Sequence, residues 1–448
     1  MMFINTQRKA VFIFVGVVMM TISTMVTAES SAPNVVPIEH WQLKNGVDVY
    51  LVPMHEIPIV DIGVVFTAGS SLDGDHAGLA TFVNAMLDEG TKTRNSDQIA
   101  QAFEDVGAVF HAGVELDYGA VTLRTMSDNA FLEPAVNVFA DVINNPAFPS
   151  EDFKRIKQQI LRALQEQEQQ PETLAEKAFF STVFNGGPYG KPSLGKMETV
   201  KQLSEEDVTK FYQRYYTAAN ARIVLVGDLD RKMADKLAEK IVGALPKGTR
   251  TTIAAKSDET FKTEVKNIRF PSVQTHILIG QRAIQRLSPD YFPLLVGNHI
   301  LGGGILTSRL HKSVREKQGL AYSVYSYFEA LKMPGPFLIG LQTRNEQASK
   351  AIKIARETLS SYVNSGPTEE ELREAKNNII NGFPLRLASN KSILQNVMNI
   401  TTFGLPLNYL DTYRDNINAV SADSIKAAFQ RHINPKNLVT ITVGNSIF

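Results

Sequence analysis

The sequence predicts an α+β protein built from two homologous halves, each a mainly antiparallel sheet covered by helices. Three observations carry that prediction. Segments recur in the same order at a nearly constant offset, so the second half repeats the first. Strand-like runs come in consecutive pairs instead of alternating one by one with helices, which argues against a doubly wound sheet. Several long helical patterns lie between those pairs and supply the covering layer.

The recurrence is densest at the end of each half. Residues 204–228, SEEDVTKFYQRYYTAANARIVLVGD, match residues 421–445, SADSIKAAFQRHINPKNLVTITVGN, with Gln213-Arg214 over Gln430-Arg431, Asn220 over Asn437 and Gly227 over Gly444. Each reads as a Ser-capped helix, a turn and a strand of β-branched residues. Upstream, Pro149-Ser150-Glu151 and Pro367-Thr368-Glu369 each open a helix. Further upstream, Asn84-Ala85-Met86-Leu87 aligns with Asn298-His299-Ile300-Leu301.

In chain order, Arg8 and Lys9 precede an apolar run from Ala10 to Met20, and Val26-Thr27-Ala28 has the small-x-small form of a cleavage site. Residues 1–28 therefore read as a cleaved export signal, with a periplasmic mature chain starting near Glu29. Its apolar core is short and weakened by Thr21, Ser23 and Thr24, which disfavours a retained anchor. The first half is expected over 29–245, with strands at 47–53, 60–67, 120–125 and 222–226 and helices at 96–106 and 153–168. Periodicity fails at Leu245-Pro246-Lys247-Gly248-Thr249-Arg250, so 246–261 reads as a linker. The second half, 262–448, adds strands at 276–280, 322–327, 337–341 and 439–443 and a helix at 347–363.

Composition narrows the function. The chain has no cysteine, which removes disulfides, thiolate metal sites and cysteine nucleophiles. Basic and acidic residues both number 46, and no basic block stands out, so neither nucleic acid nor an anionic membrane surface is an expected partner.

Residues 78–90, Gly-Leu-Ala-Thr-Phe-Val-Asn-Ala-Met-Leu-Asp-Glu-Gly, together with Ala68-Gly69-Ser70-Ser71 and Gly90-Thr91, carry a resemblance. This region resembles the N-terminal motif of pitrilysin/insulinase-type zinc peptidases, and more closely the short-chain members related to mitochondrial processing peptidase. In active members that helix carries His-x-x-Glu-His: two imidazoles hold zinc and the Glu activates water. Here the three places hold Thr81, Asn84 and Ala85, a degenerate zinc motif. Ala has no donor atom, Thr is a poor zinc ligand and Asn cannot take a proton from water. The resemblance puts the third ligand, a Glu, at Arg162 or Ala163, counting back from Gln169-Gln170-Pro171-Glu172. Glu166 and Glu168 lie near but read as a solvated helix face. Among the eight histidines none stands three or four residues from another; His76 with Asp73 and Asp75 reads as a polar turn, and His299 as a satisfied core or interface residue. No metal is expected in this chain.

In the second half, Leu301-Gly302-Gly303-Gly304, Ser308-Arg309-Leu310 and the run from Val314 to Ser323 resemble the family's C-terminal motif, in which an Arg and a Tyr seven residues apart complete the active site. Arg315 and Tyr322 hold those places. A guanidinium can hold a peptide carbonyl and a phenol can donate to the oxyanion that forms when water attacks it. The alternative is that Arg315 pairs with a neighbouring Glu and Tyr322 packs in the sheet. The Gly-rich run lacks the Lys-Ser/Thr of a phosphate loop and reads as a turn between helices.

The resemblance implies a metal-free subunit of a periplasmic zinc peptidase, inactive alone, whose Arg315 and Tyr322 bind substrate opposite a homologous zinc-bearing partner. The zinc is then the partner's. The alternative is a non-enzymatic peptide-binding or scaffold homodimer, and a third is an active peptidase with an unrecognised metal site.

Overall fold

The computed structural model describes residues 35–253 and 263–445. The export signal expected at 1–28 and the second half of the linker expected at 246–261 lie outside the described residues.

The first half begins with β1 (Glu39–Gln42), β2 (Asp48–Pro53) and β3 (Ile59–Phe66), then α1 (Leu79–Ala85) and α2 (Ser96–Glu104). The hairpin β4 (Val109–Val114) and β5 (Gly119–Met126) follows. Next come α3 (Asn129–Asn144), α4 (Ser150–Gln167), α5 (Pro171–Val183), α6 (Met197–Gln202) and α7 (Glu205–Tyr215). β6 (Ala221–Gly227) and α8 (Arg231–Val242) close the half. The second half runs β7 (Val265–Arg269), β8 (Gln274–Arg282), α9 (Tyr291–Asn298), β9 (Ala321–Phe328) and β10 (Pro336–Arg344). It continues through α10 (Ala348–Ser365), α11 (Glu369–Gly382), α12 (Asn390–Phe403), α13 (Tyr409–Ala419) and α14 (Ala422–His432) to β11 (Val439–Gly444).

The duplication is visible in strand order. The first sheet runs β1-β2-β6-β3-β5-β4 and the second β7-β11-β8-β10-β9, the same arrangement less one edge strand. In each, one neighbouring pair is parallel, β2 with β6 and β7 with β11, and all other pairs are antiparallel. The α+β expectation, two homologous sheets covered by helices, holds.

Central strands of an antiparallel sheet with one wet face would alternate apolar and polar residues, yet β3 and β6 are apolar almost throughout. The reason is a layer on each face. Val60, Ile62, Val64 and Phe66 face a core shared with α1, α3, α7 and α8, whereas Val65, Val224 and Val226 join the core of the second half. The element on that other face is α12: an added Cβ on Gly63 would stand 2.7 Å from the Met398 sulfur. The second sheet is covered reciprocally by α5, whose Ala175, Phe179 and Val183 pack with Leu278, Leu338, Ile441 and Val443. Gly280 of β8 is the corresponding close approach, with its would-be Cβ 2.8 Å from the Phe179 ring. Equivalent helices of the repeat are thus exchanged between the halves, and Val35–Phe448 forms one compact unit. One charge sits under α12: Asp61, 3% exposed, receives two hydrogen bonds, at 2.8 and 2.9 Å, from its cross-strand neighbour Arg124.

Candidate functional site

The helix on which the resemblance places the degenerate motif, α1, is short and has no side-chain cap at Gly78. Asp73, five residues earlier, takes over that role. Its carboxylate accepts from the Gly78 N–H at 2.7 Å and the Ala80 N–H at 2.8 Å, so a negative group sits against the positive end of the helix. Asp73 is 4% exposed. Burial pushes its carboxyl up to about 7, against the lowering pull of those two N–H groups and of Lys191. Asp75 and His76 are exposed, so the polar-turn reading holds for them, and the structural role belongs to Asp73.

The three motif positions each face inward partners. Thr81 donates from its hydroxyl to the Ser193 carbonyl at 2.6 Å, tying α1 to the 192–195 loop. Asn84, buried, donates over a long 3.4 Å contact to the Tyr216 hydroxyl, and Ala85 is half-buried. Downstream on α4, Arg162 is exposed and Ala163 half-buried, while Glu166 and Glu168 point to solvent. These residues do not fit zinc. One hydroxyl engaged with a carbonyl, one amide, one methyl and a guanidinium offer neither an imidazole nor a carboxylate where the ion would bind. Among the described residues no other group of three metal-binding side chains occurs.

Arg315 and Tyr322 are brought together. The chain from Leu310 to Lys317 winds as a wide turn, with the Lys317 N–H donating to the Lys312 carbonyl at 3.0 Å, then reverses at Gly319 into β9. The guanidinium carbon of Arg315 lies 4.9 Å from the centre of the Tyr322 ring. Among the described residues no acidic partner takes Arg315; its Nη1 instead donates to His311 Nε2 at 3.2 Å. Tyr322 does not pack in the sheet: it is 83% exposed, on β9, one of the two edge strands of the second sheet. His311 escaped the sequence reading, although its position four residues before Arg315 on a helical pattern was the available signal. Among the described residues no hydrogen bond or ring contact joins Arg315 or Tyr322 to α1. His299 departs from expectation: it is half-buried and its Nε2 has no hydrogen-bond partner among the described residues.

A seam between the halves lies beside the 192–195 loop. Asp117, 1% exposed at the tip of the β4–β5 hairpin, accepts from the Tyr189 hydroxyl at 2.5 Å and from the Lys332 N–H of the β9–β10 hairpin at 2.8 Å. The Met333 N–H donates to the same Tyr189 oxygen at 3.1 Å. Burial raises the Asp117 carboxyl and the Tyr189 phenol and lowers the Lys332 ammonium to about 8. A cavity of about 390 Å³ opens here, walled by Lys191 and Ser193 on one side and by Glu176, Phe180 and Glu329 on the other.

Two family models match the chain: "Insulinase (Peptidase family M16)" over residues 49–196 and "Peptidase M16 inactive domain" over residues 202–379. A crystal structure described as the peptidase M16 inactive domain from Pseudomonas fluorescens is 35% identical, with a TM-score of 0.88 over 92% of this chain and 99% of its own. A non-peptidase homolog from Helicobacter pylori is 26% identical over 398 residues, 87% of this chain and 90% of that protein. The mitochondrial-processing peptidase subunit beta of Lentinula edodes is 26% identical over 420 residues, 90% of this chain and 89% of its own length.

Proposed function

The chain belongs to the insulinase-type M16 peptidase family, and from that premise we propose that it is the metal-free subunit of a periplasmic zinc peptidase. A homologous chain with an intact His-x-x-Glu-His motif is its partner. The observation that carries this reading is the contrast between the two motifs. Thr81 and Asn84 are engaged internally, whereas Arg315 and Tyr322 stand together at the start of β9, an edge strand of the second sheet. An extended peptide can add to such an edge as a further strand, with Arg315 holding a carbonyl and the Tyr322 hydroxyl donating to the oxyanion. Activation of the water belongs to the partner's zinc motif. The relative named as a processing-peptidase subunit supports a division of labour between chains.

Purification with the partner should give zinc-dependent peptide cleavage, while this chain alone gives none. Tyr322→Phe in the mixture should lower kcat by roughly 100-fold, the usual loss for one oxyanion donor. Undiminished activity of that variant removes Tyr322 from the reaction. The relative named a non-peptidase homolog favours a second reading, a peptide-binding homodimer. A metal-free dimer that binds peptide and ignores the zinc-bearing homologue would establish it.

A further inference from the structure

A separate cavity of about 270 Å³ lies in the second half and shares no lining residue with α1 or with the Arg315–Tyr322 pair. It opens between the β9–β10 hairpin, the first residues of α9 and α13, and the later turns of α12. Its polar wall consists of Arg286, Arg386, Asn396, Asn399, Tyr409 and Tyr413, and no carboxylate lines it. Two guanidiniums around one concavity without an acid leave an unbalanced positive field.

The basic groups are also positioned. The guanidinium carbon of Arg286 sits 3.8 Å from the centre of the Tyr291 ring and 5.1 Å from that of Tyr409, and its Nη2 donates to the Tyr409 hydroxyl at 2.8 Å. Stacking fixes the plane of a guanidinium and leaves its edge for an in-plane acceptor. Arg386 is exposed at the rim, where Asn396 holds its backbone carbonyl at 3.1 Å. Neither arginine has an ion-pair partner among the described residues.

The independent observation is Tyr413. It is 4% exposed and lines the cavity, yet its hydroxyl has no hydrogen-bond partner within 3.5 Å among the described residues. Burial raises its phenol, against the smaller lowering pull of the Arg386 guanidinium beside it. Buried hydroxyls are rarely left unpaired, and one beside two arginines is suited to donate to an anion.

We infer that this cavity binds a small organic ligand with an oxyanion head, a carboxylate or phosphate held between Arg286 and Arg386 and receiving the Tyr413 hydroxyl. Its body packs against Phe403 and Leu405. A space of about 270 Å³ suits a small molecule, not a polymer segment.

Isothermal titration of the full mature chain with phenylacetate, and separately with inorganic phosphate, tests the assignment without involving zinc or a peptidase partner. Saturable binding of at least one probe at millimolar Kd or tighter is expected, weakened about tenfold or more by Arg386→Gln and by Tyr413→Phe. Binding of phenylacetate alone assigns a carboxylate head, and binding of both assigns a general oxyanion site. Both substitutions are mild, since Arg386 is at the rim and Tyr413→Phe removes an unpaired hydroxyl; the ligand-free Tyr413→Phe chain should melt no lower than the parent. Absence of saturable binding by both probes, or binding that neither substitution weakens, overturns the inference.

Discussion

At the residue scale, the three side chains of α1 at which the resemblance places the metal motif make contacts of their own. Thr81 now fastens the 192–195 loop, Asn84 reaches Tyr216 and Ala85 contributes only packing. Restoring the helix motif alone should therefore fail to restore zinc. The triple variant Thr81→His, Asn84→Glu, Ala85→His supplies two imidazoles but no third ligand, because Arg162 is a cation and Ala163 has no donor. It also removes the Thr81–Ser193 bond. Elemental analysis after dialysis should find well under one zinc per chain; a stoichiometric ion would show that other residues complete the site. That Thr81, Asn84 and Ala85 offer neither imidazole nor carboxylate is legible from residue identity, because a methyl group cannot coordinate zinc in any fold. The exposure of Tyr322 and the His311–Arg315 contact were not, since both depend on how a wide turn aims its side chains.

At the scale of elements, α1 begins on a buried acid. The Asp73 carboxyl titrates near 7 when folded, compared with 3.8 for an ordinary aspartate, so between those values the folded chain holds a proton that the unfolded chain has lost. The stability this group contributes is fully present below about pH 4 and is lost as pH rises through about 7. Asp73→Asn should flatten that part of the profile, on the order of a few kcal/mol between the two ends. Denaturant melts of both chains across this range measure it, and parallel profiles would show that Asp73 ionises at no cost to the fold. The strands read from sequence were those with apolar runs. β1, β4 and β7 went unread because they lie at sheet edges and carry mostly half-exposed or exposed residues, so neither alternation nor an apolar run marks them.

At the scale of the whole molecule, the exchange of α5 and α12 makes each half depend on the other. Met398, 2% exposed, belongs by sequence to the second half but packs on Gly63 of the first sheet. Met398→Ala should cost about 2–5 kcal/mol, as other buried Met or Leu truncations do. It should lower the melting temperature of a single calorimetric transition, because neither sheet keeps a complete cover once the helices part. Two separable transitions, one unaffected by the substitution, would show that the halves fold independently. The Asp117–Tyr189–Lys332 seam adds a polar lock to the same interface.

The sequence by itself determined the duplication and the α+β class, because periodicity is a local property of the chain. Only the tertiary structure decided which helix covers which sheet. The apolar runs of β3 and β6 announce two buried faces without naming what lies on the second one. It alone also placed Arg315 over Tyr322 on an edge strand and gathered Arg286, Arg386 and Tyr413 around one cavity. Those groups stand far apart along the chain or turn on a single bend, and long-range packing, which no local pattern encodes, brings them together.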